Sequence, residues 1–438
     1  MNKKVLLIGY NYYPEPTGVG KYSGEQVYWL AKQGYDCTVV TTYPYYPYWK
    51  VQSPYCRNRF SYTSEVKEFE SGGKIRVYRC PIYVPGSPSG IKRIILDISF
   101  MVSGSIKLLD LVFRNRFDVV IAVAPSFMVG LLGVLYKSIK NTTLVYHIQD
   151  MQIEAAKNLK MIKSDKVINM LFKLEKFIFD QSDVVTSISD GMVEKIKNKA
   201  GKDVYLLPNW ADTTRFFPIH SVSDLKQTFG FENTDRIIMY SGALGEKQGL
   251  ESIIHAADYF RDIKGWKFII CGSGPYKLQL KRLAEALDLD NVVFFPLQPL
   301  DSFNKFLNIA DVHLVIQKNN ASDLVMPSKL TTILAVGGLA VVTANRGTSL
   351  YSMVNKYGVG MLVEAENQQA LNCGIQEALL GSNKEVIASN ARLYAEKYLS
   401  INNIMRSFED LVLNDRNEMI NVNNDVYHDK QIELPVTT

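Results

Sequence analysis

Short apolar runs alternate with amphipathic stretches along most of this chain. Val5–Gly9, Cys37–Thr41, Asp118–Val123, Thr143–Ile148, Asp183–Ser189 and Val204–Leu207 are brief runs rich in Val, Ile and Leu. Such runs predict strands buried on both faces. Between them, Tyr22–Gln33, Ile91–Phe113, Ser126–Tyr136, Ser164–Phe179 and Gly191–Asn198 place apolar residues at helical spacing. Pro208 to Pro218 breaks the rhythm and reads as a linker. A second series then runs through strands Ile237–Ser241, Lys267–Cys271, Val292–Phe295 and Val312–Ile316, with helices ending at Phe260, Leu287 and Ala310. Repeated βα units predict an α/β chain of two Rossmann-like, doubly wound parallel-sheet domains, with ligands at strand C-termini in a central cleft. The expected limits are 1–210 and 211–395, a helix at about 396–414 packing back on the first domain, and a polar tail at 415–438.

Asp323 to Thr343 holds the densest candidate chemistry. It opens as a loop, and Pro327 fits a first helical position. Ser328 and Lys329 follow in the first turn; Leu330, Ile333 and Leu334 continue the helix, Gly337-Gly338 ends it, and Leu339–Thr343 is a strand. A helix start offers free N–H groups and partial positive charge, and Lys329 adds a full one, which suits a diphosphate. An ordinary loop–helix–strand unit with a surface lysine has the same pattern.

Three N-terminal segments change the picture. Tyr10 to Lys21 is a loop whose Gly18 and Gly20 would let phosphate approach the backbone. It is not G-x-G-x-x-G, and no acidic residue closes the next strand, so a dehydrogenase is disfavoured. Tyr43 to Phe60 is aromatic and proline-punctuated, with Tyr45, Tyr46 and Trp49, and looks too wet for a core. It fits a lipid interface, a sugar groove or a packed surface loop. In Ile91–Phe113, Ile91, Ile94, Ile95, Ile98, Met101, Val102, Leu108, Leu109 and Val112 share one stripe, with Lys92, Arg93, Asp97, Lys107 and Asp110 off it. A core-facing helix explains the stripe; the flanking Lys92, Arg93, Arg114 and Arg116 fit a membrane-surface helix instead.

Composition narrows the classes. At 438 residues, 47% hydrophobic and 21% charged, the chain reads as an ordinary globular protein of two domains. Cysteines 37, 56, 80, 271 and 373 lack metal spacing and suggest a reducing compartment. The apolar run at the start is too short for a signal peptide, and no run is long enough to span a bilayer. Residues 1–120 carry 16 Lys/Arg against 9 Asp/Glu, a net +7 that leaves −2 for the remainder. That asymmetry predicts an anionic partner for the first half, a membrane surface or a phosphorylated substrate. There is no dense basic stripe for nucleic acid. Asp288-Leu-Asp290 mimics a metal motif but ends an amphipathic helix, and Glu154, Glu175 and Asp180 read as solvated helix faces. His147, near the end of an apolar strand with Asp150 just beyond, fits either a site or a structural histidine.

Tyr13-Pro-Glu-Pro-Thr-Gly-Val-Gly20, Leu207-Pro-Asn-Trp with Arg215-Phe-Phe217, Cys271-Gly-Ser-Gly-Pro275, Ala310-Asp-Val-His-Leu314 and Pro327-Ser-Lys329, in this order, resemble the family 4 glycosyltransferases. Pro44-Tyr-Tyr-Pro47, His147-Ile-Gln-Asp150, Gly245-Glu-Lys-Gln-Gly249 and Pro327-Ser-Lys-Leu-Thr331 resemble the fucosyltransferase branch of colanic-acid type. The resemblance implies a retaining, metal-independent GT-B enzyme without a cofactor. It also implies a GDP-fucose donor, a polyprenyl-diphosphate-linked acceptor in exopolysaccharide, capsule or O-antigen synthesis, and a cytoplasmic, peripheral place on the inner membrane. It puts the N-domain phosphate loop at Gly18 and Gly20 and the sugar-facing histidine at His147, with Asp150 beside it. The base-side loop falls at Gly272, Gly274, Pro275, Phe295 and Pro296, and the phosphate-gripping helix start at Pro327, Ser328 and Lys329. Tyr45, Tyr46, Trp49, Lys92 and Arg93 are candidates for the acceptor or membrane side.

Several positions depart from the family pattern. The usual Glu-x7-Glu becomes Leu324, beside Asp323, and Thr332; the usual Gly-Arg becomes Gly242-Ala243; and the usual Lys is Gln248, with Lys247 adjacent. A nucleotide-sugar epimerase of the same fold and a non-catalytic partner subunit stay open as alternatives.

Overall fold

Val5 and Leu7 face one side of their strand, Leu6 and Ile8 the other, and all four are buried, as a strand between two helical layers requires. The same double burial recurs at Val119–Ala124 and at Ile237–Tyr240, which fixes two parallel sheets in a computed structural model of the chain. The structure describes residues 3–15, 18–46, 48–87, 90–158, 162, 164–221, 223–318 and 327–413. They divide into two units, residues 3–208 with 405–413 and residues 209–404.

The first unit runs β1 (Lys4–Ile8), α1 (Val19–Lys32), β2 (Asp36–Thr41), β3 (Thr63–Glu68), β4 (Lys74–Arg79), α2 (Gly90–Arg114) and β5 (Val119–Ala124). It continues through α3 (Met128–Ile139), β6 (Thr143–Ile148), α4 (Gln152–Asn158), α5 (Asp165–Gln181), β7 (Val184–Ser187), α6 (Asp190–Ala200) and β8 (Tyr205–Leu206). The sheet order is β3-β4-β2-β1-β5-β6-β7-β8. Leu6 of β1 lies opposite Thr38 on one side and Val120 on the other, so the chain leaves β1 and β5 in opposite directions. Such a switch point leaves a crevice at the strand C-termini.

The second unit runs α7 (Ser223–Thr228), β9 (Arg236–Ser241), α8 (Glu251–Tyr259), β10 (Trp266–Cys271), α9 (Lys277–Ala286), β11 (Val292–Phe295), α10 (Leu300–Asn308) and β12 (Val312–Val315). Then come α11 (Ser328–Ala335), β13 (Ala340–Thr343), α12 (Ser349–Tyr357), β14 (Met361–Val363), α13 (Gln368–Leu380) and α14 (Lys384–Tyr398). Its order is β11-β10-β9-β12-β13-β14, with the switch between β9 and β12. Ile237 and Met239 pack with Leu330 and Leu334 on one face; Ile238 and Tyr240 pack with Ile254 and Ile375 on the other. The last helix, α15 (Ile401–Val412), passes from the second unit into the first at residue 405. There Tyr35 donates to Glu409, and the Lys3 ammonium donates to the Leu413 carbonyl.

Four expectations need correction. The stripe on α2 splits: Ile94, Ile95, Ile98, Val102 and Leu109 are exposed, joined by Ile106 and by Phe113 at 87% exposure. Of the stripe, Leu108 and Val112 lie in the core with Met101 packed against it, and Leu96, Phe100 and Leu111 from outside the stripe join them. Apolar residues stand on both sides of this helix, so periodicity alone could not say which side faces inward. The side chain of Ile91 lies outside the description.

The aromatic segment is not too wet for a core. Tyr43, Tyr45 and Val51 are buried, with Trp49 and Tyr55 packed against them. Two buried groups fold it in. The Glu15 carboxylate accepts the backbone N–H groups of Tyr45 and Tyr46 at 3.0 and 2.9 Å. Arg79, 1% exposed, donates to the carbonyls of Thr42 and Tyr13 and pairs with Glu65 at 2.7 Å.

Glu154 and Glu175 are not solvated faces, since both pair with Lys199 and Glu175 is buried. The first sheet is also not wholly parallel: β3 and β4 form an antiparallel hairpin at its edge.

Candidate active site

The second unit builds its site where β9 and β12 part. Past β9, Gly242 to Gly249 forms a loop that approaches the loop after β10 closely. A Cβ on Gly272 would stand 1.9 Å from the Gly242 carbonyl oxygen, and one on Gly274 would stand 2.1 Å from that of Leu244. Both glycines have positive φ, so no other residue fits either position. Leu244 N–H donates to the Ser273 carbonyl and Tyr276 N–H to that of Leu244, zipping the loops together.

α11 points its N-terminus at this switch point. Pro327, predicted as the first helical residue, is instead the N-cap, one place earlier. A proline cap has no side-chain acceptor, so the first N–H groups of α11 receive no side-chain bond. From the first turn, Lys329 lays its ammonium 3.6 Å from the centre of the Tyr240 ring. A Cβ on Gly242 would stand 3.0 Å from that nitrogen, so the missing side chain leaves the ammonium its place. Burial lowers its pKa to about 7, and among the described residues no carboxylate pairs with it. The arrangement is a desolvated cation, a ring face and open helix N–H groups at one point. It is suited to a phosphate or diphosphate oxygen.

Other predicted donor positions fare differently. Phe295 packs its ring against Phe231 and Phe306 at 6.0 and 5.2 Å, a core contact, while Pro296 next to it is exposed. Thr332 is buried inside α11. Lys247 lies in the short turn Glu246–Gln248, its side chain outside the description, and Asp323 lies outside the described residues altogether. A cavity of about 270 Å³ begins at Gln248 and Gly249 and reaches Ser252, His255, Lys318 and Thr343. The Ala310–Leu314 motif proves architectural. Asp311 accepts from Lys226 and from the backbone of Ile237, and a Cβ on Gly338 would stand 2.6 Å from the ring of His313.

In the first unit, His147 is buried near the end of β6, and its Nδ1 shares a 2.9 Å hydrogen bond with the hydroxyl of Thr186 on β7. Burial lowers its pKa to about 4, so the ring is neutral at pH 7. Asp150 follows, half-buried. Gly18 caps α1 at φ 62° with nothing within 4 Å of where its Cβ would stand, so the space above it is open. Gly20 does not share that opening: a Cβ there would meet Glu15 at 2.8 Å, so its bareness serves the Glu15 contact. Tyr45, Tyr46, Trp49 and Arg93 come together. The Tyr45 and Tyr46 rings lie 5.7 and 6.5 Å from that of Trp49, and the Arg93 guanidinium lies 5.1 Å from it. Lys92 is exposed beside them. Sequence reasoning passed over Glu15, whose signal was an acidic residue between two prolines in a glycine-rich loop.

Residues 17–210 match the glycosyl transferase 4-like domain and residues 221–397 match the glycosyl transferases group 1. The chain is 39% identical over 413 residues to the putative colanic acid biosynthesis glycosyl transferase WcaI of Escherichia coli K12, covering 92% of this chain and 98% of that one. Among solved structures, sucrose-phosphate synthase from Thermosynechococcus elongatus superposes with a TM-score of 0.74 at 15% identity, covering 94% of this chain and 98% of that one. HepE from Anabaena, in complex with UDP and glucose, superposes at 0.67 and 13% identity, covering 94% and 100%. The fold is that of the GT-B glycosyltransferases. From end to end of its two domains, then, the chain belongs to the 4-like, group 1 glycosyltransferase family.

Proposed function

We propose that the chain transfers fucose from GDP-fucose, with retention, to a polyprenyl-diphosphate-linked oligosaccharide during assembly of an exopolysaccharide such as colanic acid. The observation that carries the reading is Lys329 at the uncapped start of α11, over Gly242 at the end of β9. The name of the WcaI relative supports the polysaccharide, and HepE, solved with UDP and glucose, supports a nucleotide-sugar donor. In the reaction the bond from the sugar's C1 to the diphosphate oxygen breaks and one from C1 to the acceptor oxygen forms on the same face. The acceptor's proton leaves with the diphosphate. Negative charge grows on the departing group, and Lys329 and the α11 N–H groups stand ready for it. His147, neutral and held by Thr186, is assigned to the sugar as a hydrogen-bonding group rather than as an acid.

The exposed stripe of α2, with Lys92, Arg93, Arg114 and Arg116 at its ends, supports work against an anionic lipid surface, where such an acceptor resides. No described helix is long and apolar enough to cross a membrane.

The test supplies labelled GDP-fucose, GDP-mannose and UDP-glucose with and without a polyprenyl-diphosphate-linked sugar, in the presence of EDTA. Transfer only with acceptor, from GDP-fucose and with retained configuration, is the expected result. Donor turnover without acceptor would point to an epimerase, and loss of transfer in EDTA would overturn metal independence.

A further inference from the structure

We propose that Asp97, with Arg93 and Trp49, forms a subsite that holds the hydroxyl groups of the acceptor sugar; this rests on the transferase reading above. Asp97 lies on α2, off both of its apolar faces, and reaches the crevice where β1 and β5 diverge. From beyond β5, the Ser126 hydroxyl donates to its carboxylate at 3.3 Å. From beyond β1, the Tyr10 hydroxyl faces the same carboxyl and favours its charged form. A carboxylate has about four acceptor positions. Ser126 and Tyr10 account for two, and the residue is half-buried rather than enclosed.

The surroundings match the two sides of a pyranose, an apolar face and an edge of hydroxyls. Arg93, one turn before Asp97, holds its guanidinium 5.1 Å over the half-buried Trp49 ring, so a planar set of donors and an aromatic surface stand together. Trp49 is held at φ 53°, a conformation a bulky side chain rarely adopts. Strain of that kind gathers at binding sites, where the surroundings over-determine it. The family motifs touch none of Asp97, Ser126 and Tyr10.

Burial raises the Asp97 pKa to about 6, opposed by Tyr10, Ser126 and Arg93, and Tyr45 is the further titratable group facing it. The carboxylate therefore accepts hydroxyl donors above pH 6 and loses that capacity as pH falls through 6. Initial rates with a polyprenyl-diphosphate-linked disaccharide in detergent and GDP-fucose give KM for each substrate from pH 5 to 8. Asp97→Asn is expected to raise acceptor KM about 10-fold or more, leave donor KM within about twofold, and remove the rise of acceptor KM below pH 6. Ser126→Ala takes away a donor that favours the carboxylate, so it should move that rise to higher pH. Wild-type acceptor KM in Asp97→Asn, a parallel rise in donor KM, or an unmoved pH limb in Ser126→Ala would each overturn the subsite and leave the transferase standing. No transfer by the wild type would remove both.

Discussion

Arg79 in the first unit and Lys329 in the second are both enclosed cations, and they are treated in opposite ways. Arg79 spends its donors on Glu65, Thr42 and Tyr13, and lies 4.5 Å from the Tyr55 ring centre. Lys329 has a ring face and no described carboxylate. The neutral first-unit counterpart, His147, is likewise engaged through Thr186. A buried ionisable group whose bonds are met by the protein holds the fold together. One left without an anion costs stability and is explained by a ligand that supplies it. Lys329 has no such anion among the described residues, and the proposed donor diphosphate would supply it.

The sharpest break of this contrast is Lys329→Ala. A charge-assisted hydrogen bond is worth roughly 1.5–3 kcal/mol, so catalytic efficiency should fall about 10- to 150-fold. The loss should appear in affinity for GDP and not for guanosine; equal losses for the two would deny the phosphate role.

A second measurement uses pH. The free enzyme's Lys329 has a pKa near 7, and a bound diphosphate raises it, so binding takes up a proton above pH 7. GDP affinity should then decline by up to about tenfold per pH unit above 7, below the pKa of the complex. Lys329→Arg, permanently charged, should flatten the slope, and an unchanged slope in calorimetric titrations would reassign the proton.

Smaller effects come from the engaged side. His147→Ala removes a neutral hydrogen bond worth about 0.5–1.5 kcal/mol, so kcat/KM should drop about 2- to 13-fold with the fold retained. Wild-type rates, or an unfolded protein by circular dichroism, would make His147 a packing residue. Each basic residue at an anionic surface adds about 1 kcal/mol, so Lys92→Ala should weaken flotation with anionic vesicles about fivefold at low salt. Equal recovery of the wild type with neutral vesicles would remove the electrostatic part.

The place of Lys329 in the first turn of α11 was legible because a proline ahead of an apolar periodic run marks a helix start. The β-units were legible because strands buried on both faces leave little but Val, Ile and Leu. α2 showed its length but not its orientation, since Leu96 and Phe100 on one side and Ile98 and Val102 on the other are equally apolar. The β3–β4 hairpin was missed for two reasons. Thr63–Glu68 is an exposed edge with almost no apolar signal, and in Lys74–Arg79 the third inward position after Ile75 and Val77 is taken by an arginine. Asp97 could not be found from order along the chain, because Tyr10 and Ser126 reach it only through sheet topology.

The passage of α15 into the first unit has a consequence for synthesis. Met405 and Phe408 are fully buried, and Lys3 and Tyr35 bind the end of that helix, so the first unit is finished by residues made after the whole of 209–404. On the ribosome it must wait, without this helix, while about 200 further residues emerge. A chain released at residue 400 would contain every candidate site residue and still lack the piece that closes its first domain. Such a fragment should be the form that chaperones hold and proteases remove.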